Sequence, residues 1–419
     1  MFRSRKAKWR TLENPAKIFP ATSGKKDERV FRFACELNEM VQEEILQKAV
    51  DKSMEKFSLF GCVMRKGLFW NYLEESNLKP EVRQEYKEPC SRLYVRDQKN
   101  LLFEITYFQK RINLEIFHAL TDGTGALEFI RTIVYHYLML AHPDEVKGPF
   151  SLLDSDMTDY QKGEDCFAKH YEKETKKIKI PKYKAFQMPY PTIEKGQLSI
   201  LEGVAPVDQL IVISHKYHTT ITVLLTAILF RAFAMEMSAQ QKKKPVAFMI
   251  PVNLRQFFPS ASVRNYFGWI DVGYDFSKGN DQLETLIDYT ADFFKKEITP
   301  ERMAYRVNGL VGLEQNFFTR VVPLEVKLLA LQLGNWSSRN DNTAIFSNVG
   351  KVKMPKECAP FIRLFDIFTC TPQMELCTCS YENNMVMSFT YTCENTTVLR
   401  NFFRMLTELG LPVEIAARP

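Results

Sequence analysis

The stretch Glu115-Ile-Phe-His118-Ala-Leu-Thr-Asp122-Gly123-Thr-Gly125 stands between two kinds of periodicity. Upstream, Ile112, Leu114 and Ile116 alternate with Arg111, Asn113 and Glu115, the period of a half-buried strand. Downstream, Leu127, Ile130, Ile133, Val134, Leu138 and Leu140 recur at helical spacing. His118 is therefore expected where a strand ends, on a turn punctuated by Gly123 and Gly125, before a helix that Asp122 or Thr124 can cap. A histidine on such a turn can face a cleft while a sheet holds its backbone, a suitable mount for a general base.

Working outward, residues 101–108 and 111–117 read as a β-hairpin turning at Gln109-Lys110. Val30 to Leu37 reads as a strand, followed by a helix with Val41, Ile45, Leu46, Ala49, Val50, Met54 and Phe57 on one face. The aromatic segment Gly67 to Tyr72 suggests another strand. From Asp144 to Gly196 the periodicity weakens around Asp154, Asp156, Asp159 and the basic run Lys173 to Lys184, which reads as a long solvated connection. Beyond it, Val204 to Tyr217 holds a short helix, and Thr219 or Thr220 can cap a helix carrying Val223 to Ala234. Val246 to Val252 reads as a buried strand and Ile270 to Phe276 as another. Helices are expected over 283–296 and 304–331. Strands follow over 344–350, 367–371, 375–381 and 385–391, the last two joined at Asn383-Asn384. A final helix over 397–409 stops at Gly410. The pattern predicts an α+β protein of two halves, 1–180 and 190–419, each a mixed sheet flanked by helices.

With 419 residues and 45% hydrophobic side chains, the chain can bury a large core without covalent staples. A net charge of +6 from 56 basic and 50 acidic residues is too small an excess to argue for nucleic acid. The nine cysteines form no Cys-x-x-Cys, so reduced thiols in a cytoplasmic protein are the simplest account. Cys377 and Cys379 have strand spacing, with Cys370 or Cys393 as possible neighbours, but not the spacing of a zinc site. His215 and His218 lack an evident third ligand, and no metal is expected. The basic N-terminus is followed by no apolar run, and Val223 to Met235 is too short to cross a bilayer. No Gly-x-Ser-x-Gly elbow occurs, Gly123-Thr-Gly125 lacks the third glycine of a dinucleotide loop, and His136 falls inside a helix.

His118-Ala-Leu-Thr-Asp122-Gly123 resembles the His-x-x-x-Asp-Gly signature of the CoA-dependent acyltransferase superfamily, which includes chloramphenicol acetyltransferase, the plant BAHD enzymes, alcohol acetyltransferases and condensation domains. Ile250-Pro-Val-Asn-Leu-Arg255, Asn265-Tyr-Phe-Gly-Trp269 and Phe346-Ser-Asn-Val-Gly350 are similar to segments of its alcohol acetyltransferase and condensation-like branch, in the same order. The opening Ala16-Lys-Ile-Phe-Pro20 also looks similar, so the resemblance spans nearly the whole chain. Two departures stand out. Condensation domains usually carry two adjacent histidines, and Phe117 occupies the first position here. The plant Asp-Phe-Gly-Trp-Gly is absent, and 265–269 is assigned a structural role.

The resemblance implies two chloramphenicol-acetyltransferase-like subdomains with a tunnel between them and His118 at its middle as general base. Asp122 would turn away from substrate to pair with Arg255, steadying the catalytic loop, or act only as a helix cap. Gly123 would let the backbone pass close to its neighbours, or simply make the turn. Ser347 and Asn348 would either line the tunnel near the cofactor arm or form a turn. The implied reaction moves an acyl group, acetyl in the simplest case, from CoA to an alcohol, with acyl-CoA as co-substrate and no bound cofactor. The expected protein is a cytoplasmic monomer without a transmembrane segment. Transfer from an acyl carrier protein, condensation-type amide formation, and a non-catalytic partner-binding role are the alternatives.

Overall fold

The structure, a computed structural model, describes residues 9–24, 27–148, 164–170, 178–189, 198–315 and 321–418. Within these, two sheets carry the molecule. The first contains β2 (Val30–Leu37), β5 (Arg83–Gln84), β6 (Phe103–Phe108), β7 (Arg111–Phe117) and β12 (Ile362–Thr369), in the order β12-β2-β7-β6-β5. The second contains β8 (Ser199–Pro206), β9 (Val246–Asn253), β10 (Phe267–Tyr274), β11 (Ala344–Lys351), β13 (Met374–Tyr381), β14 (Asn384–Tyr391) and β15 (Glu414–Arg418), in the order β10-β9-β11-β13-β14-β8-β15. Both are mixed: β5 runs parallel to β6, and β11 runs parallel to β9 and β13, while the other pairings are antiparallel. A small antiparallel sheet joins β1 (Trp9–Thr11), β4 (Asn71–Glu75) and β3 (Cys62–Lys66). This is the expected α+β architecture of two sheet-rich bodies.

Each body has its own apolar core. One gathers Phe33, Leu114, Ile116, Phe129 and Ile133 under helices α2 (Glu43–Met54) and α3 (Gly123–Ala141). The other gathers Phe230, Phe248, Ile270, Leu376 and Phe402 around helix Ile221–Glu236, whose N-cap Thr220 accepts a hydrogen bond from Val223 N. The bodies are not independent along the chain. β12, from the chain's last third, pairs with β2 in the first sheet, and Cys377, Cys379 and Tyr381 enter the first core.

β7 departs from the half-buried strand expected of its alternation: all seven residues are buried. Its polar face is tolerated because its charges are paired. Arg111 Nε meets Glu36 at 2.7 Å, and Arg111 Nη2 meets Glu202 of the second sheet at 2.7 Å. Glu115 accepts from Arg32 at 2.7 Å and from Cys90 N at 2.6 Å.

Other differences have local causes. Residues 67–70 form the turn of the β3–β4 hairpin, closed by Gly67 N to Trp70 O at 3.1 Å, rather than a strand. Where one helix was expected over 304–331, the described residues show helices Pro300–Gln315 and Leu324–Ser337, with Pro323 as the N-cap of the latter. β1, β8 and β15 are strands that local patterning does not announce. In β8, Gly203 leaves room for the Phe403 ring, which a Cβ would strike. In the long connection, residues 149–163, 171–177 and 190–197 lie outside the described residues, including Asp154, Asp156, Asp159 and the start of the Lys173 to Lys184 run.

Candidate active site

His118 follows β7, and its N–H donates to Arg29 O at 2.8 Å. Its ring stacks on Phe19 at 4.4 Å and 17°, in helix α1 (Ile18–Thr22). It also meets Phe31 of β2 at 4.9 Å and Phe267 of β10 at 5.6 Å. The imidazole is thus walled by aromatic faces from both bodies, yet remains half-buried rather than sealed.

Asn265 fixes the ring. Its Nδ2 donates to the His118 carbonyl at 3.0 Å, and its Oδ1 lies 3.2 Å from His118 Nδ1. A backbone carbonyl only accepts, so the first bond sets the amide's orientation and leaves Oδ1 facing the ring. Nδ1 must then carry the proton, and in the neutral ring Nε2 holds the lone pair. Among the described residues no hydrogen bond occupies Nε2. Burial lowers the His118 pKa below its ordinary 6.5; the Asp122 charge and the Asn265 bond only partly oppose this. A neutral imidazole with an uncommitted Nε2 is the protonation state a base requires near neutrality.

Asp122 serves as both cap and ion-pair partner. Oδ1 accepts from Thr124 N at 3.1 Å and Gly125 N at 3.0 Å, capping α3. Oδ2 accepts from Arg255 Nη1 at 2.7 Å and Tyr266 N at 2.8 Å. Arg255 is held in turn by the carbonyls of Ser262 at 2.8 Å and Arg264 at 2.7 Å. Thr121 Oγ1 donates to Val263 O, and Asn253 Nδ2 donates to Thr124 Oγ1 at 3.2 Å. The loop of the first body is therefore stitched along residues 253–267 of the second.

The close backbone approach expected at Gly123 belongs to Gly125 instead. A Cβ on Gly125 would collide with Val263 O and Thr121 Oγ1, whereas one on Gly123 would meet nothing within 4 Å. Gly123 has space beside it because it opens the helix; Gly125, two residues on, lies against Val263 of the other body.

Ser347 and Asn348 sit on β11, half-buried. Asn348 Nδ2 donates to Thr222 Oγ1 at 2.8 Å, and its Oδ1 accepts from Gly350 N at 2.9 Å, where the register with β13 slips. Neither residue is hydrogen-bonded to His118, so they are not part of the same cluster. His215 and His218 are exposed, and His136 is buried in α3 with Nδ1 2.9 Å from Ser53 Oγ. Among the described residues no three potential metal ligands converge.

The segment 265–269 was expected to be structural, yet Asn265 and Phe267 touch His118 directly. The available signal was Asn265 itself, an amide able to hold an imidazole, opening a segment that follows Arg255 by ten residues.

The arrangement places this chain in the fold class of two joined acyltransferase-like bodies with a histidine at their junction. Solved structures share that fold over nearly their whole length. TRI101 from Fusarium sporotrichioides, complexed with coenzyme A and T-2, matches with a TM-score of 0.61 at 10% identity, covering 97% of this chain and 99% of that one. The first condensation domain of CDA synthetase matches at 0.61 and 12% identity, covering 97% of each chain. TRI3 trichothecene 15-O-acetyltransferase from Fusarium sporotrichioides matches at 0.59 and 11%, covering 98% and 96%. These neighbours, at 10–12% identity, show the fold that the resemblance implied. No family model and no curated protein sequence matches the chain.

Proposed function

We propose that this protein is an O-acyltransferase that moves an acyl group, acetyl in the simplest case, from a CoA thioester to an alcohol, with His118 as general base. One observation carries the reading: Asn265 holds Nδ1 of His118, which leaves Nε2 unprotonated and without a hydrogen-bond partner among the described residues. In the reaction, the acceptor hydroxyl gives its proton to Nε2 as its oxygen forms a bond to the thioester carbonyl carbon. Collapse breaks the carbon–sulfur bond, and the imidazolium returns the proton to the departing thiolate, giving ester and free CoA. No acyl-enzyme and no metal is needed in this scheme. The first half, 1–180, supplies the base; the second, 190–419, supplies the amide and arginine that hold it. In this reading Asp122 and Arg255 act through the loop and never touch substrate, and donor and acceptor reach His118 from opposite faces. Ser347 and Asn348, on the second sheet, are candidates to contact the donor arm.

The fold neighbours support both parts of this scheme: one is named an O-acetyltransferase, and another is complexed with coenzyme A. The likeness to a condensation domain keeps carrier-protein donors and amide products as the second reading. Against it, the position of the extra histidine holds Phe117, buried and stacked on Tyr94 at 4.9 Å. No single helix among the described residues is long and apolar enough to cross a membrane.

The test is a thiol-release screen of acetyl-CoA and longer acyl-CoAs against alcohols and amines, with products identified by mass spectrometry. Ester formation with stoichiometric free CoA is expected. Amide products would move the reading to condensation chemistry, and no thiol release with any acyl-CoA would remove it.

A further inference from the structure

The backbone of His118 is held on both sides, by residues from different bodies. Its carbonyl accepts from Asn265 Nδ2, and its N–H donates to Arg29 O at 2.8 Å. Arg29 makes that contact from an uncommon backbone conformation: its φ is 55°, in the left-handed region that favours glycine. Such a conformation costs energy in a residue with a Cβ, and it persists only where the surroundings over-determine it. When it lies beside a functional group, it points to a role there.

Three contacts over-determine it here. Asp27 Oδ1 accepts from Arg29 N at 2.9 Å, and Asp27 Oδ2 lies 3.1 Å from Arg29 Nη1. From the other side, Asn335 Oδ1 accepts from Arg29 Nη2 at 3.2 Å. Both partners are themselves anchored. Asp27 is buried, and its backbone exchanges hydrogen bonds with Gly24, just beyond α1. Asn335 lies 306 residues later in the chain than Arg29, on helix Leu324–Ser337, which packs on α1. One guanidinium thus ties the exit of α1 and the approach to β2 to a distant helix, at the residue that holds the His118 N–H.

We infer that Arg29 is a positioning residue for His118: the Asp27–Arg29–Asn335 clamp fixes the left-handed turn whose carbonyl holds the His118 backbone, and so keeps the ring in register with Asn265. The inference rests on His118 acting as the base. Asp122 and Arg255 steady the loop that follows His118, and this clamp steadies its amino side. Arg29 acts through His118 and does not touch substrate.

The first test needs no substrate. It is heteronuclear NMR of the histidine ring nitrogens in the full chain, with the His118 signals assigned by their loss in His118→Ala. Wild type should show a single neutral tautomer, protonated at Nδ1. Arg29→Gly tolerates the left-handed backbone, so it removes the clamp without adding strain. Its His118 signals should shift toward a mixture of the two tautomers. The second test is steady-state CoA release. Arg29→Gly should lower kcat about fivefold with KM unchanged, because a loosely held ring presents Nε2 only part of the time. Asn335→Leu leaves the Asp27 contacts in place and should lower kcat about threefold. Asn335→Asp keeps an oxygen acceptor for the guanidinium and should restore the rate. Ring signals that stay at their wild-type positions in Arg29→Gly overturn the inference, as does an unchanged kcat. A loss in Asn335→Leu that Asn335→Asp fails to restore overturns it too. No CoA release by wild type with any donor would remove the acyl-transfer reading instead, and the ring signals would still decide whether the clamp sets the tautomer.

Discussion

At Asp122 one carboxylate faces one guanidinium, and both oxygens are filled by Arg255, Tyr266 N, Thr124 N and Gly125 N. At Arg111 one guanidinium faces three carboxylates, Glu36, Glu202 and Asp366, and Arg363 assists at Glu36. Both clusters bridge the two bodies. The first is balanced and saturated, so it fixes geometry. The second carries surplus negative charge in a buried place. There, burial foremost, then the Glu202 charge, pushes the Asp366 carboxyl up to about 7, against the pull of Arg111 and the Ser388 hydroxyl. A saturated pair holds a catalytic loop; an anion-rich cluster makes the seam between the sheets responsive to protons.

This contrast can be broken first at the saturated pair. Arg255→Ala leaves Asp122 buried without its cation, and stability in urea unfolding should fall by roughly 3–5 kcal/mol. Asp122→Asn should lose less, about 1–3 kcal/mol, because its carbonyl oxygen can still cap α3 while its amide confronts the donors of Arg255 and Tyr266. If neither substitution moves stability or activity, the clasp has been misread.

A smaller effect is expected at Asn265. Asn265→Ala removes the acceptor that holds Nδ1, and kcat should fall about tenfold with little change in KM, because a freely turning ring presents Nε2 only part of the time. A change in KM alone would make Asn265 a substrate contact rather than a positioning residue.

The smallest effect, and the one that sharpens the comparison, is on pH dependence. Asp366 has a folded-state pKa above its ordinary 3.8, so the stability it contributes is complete below that value and is lost as pH rises through about 7. Asp366→Asn should flatten that part of the stability profile between pH 4 and 7, measured as the difference between the two proteins. His136 acts in the opposite sense. Burial lowers its pKa to about 4, so its contribution is lost as pH falls from 6.5 through that value. A wild-type-minus-variant stability difference that rises with pH across that window would contradict the anion-surplus reading.

What the sequence discloses follows from the range of the forces involved. The 103–117 hairpin, the turn at His118 and the Asp122 cap depend on neighbours within a few residues, and all are legible. The Asp122–Arg255 pair is legible at a distance because a buried carboxylate needs a cation, and Arg255 lies in a segment of the resembled family. β12 completing the first sheet is not legible, because its partner β2 lies more than 300 residues earlier. The burial of Arg111 and Glu115 is hidden for the same reason: alternation reveals a polar face, but its partners come from β2, β8, β12 and Cys90. Gly125 and Asn265 owe their roles to the seam between the bodies, which no local pattern encodes.

The central claim is that His118 takes the acceptor's proton through Nε2. Its most direct test is the steady-state rate of CoA release by His118→Ala against wild type, with the best donor and acceptor from the screen and with folding checked by circular dichroism. The predicted result is a loss of about 10²–10⁴-fold in kcat with the fold intact. It should be accompanied in the wild type by an acid limb of kcat/KM whose midpoint lies below the ordinary histidine value of 6.5. An unchanged rate in the variant would contradict the account.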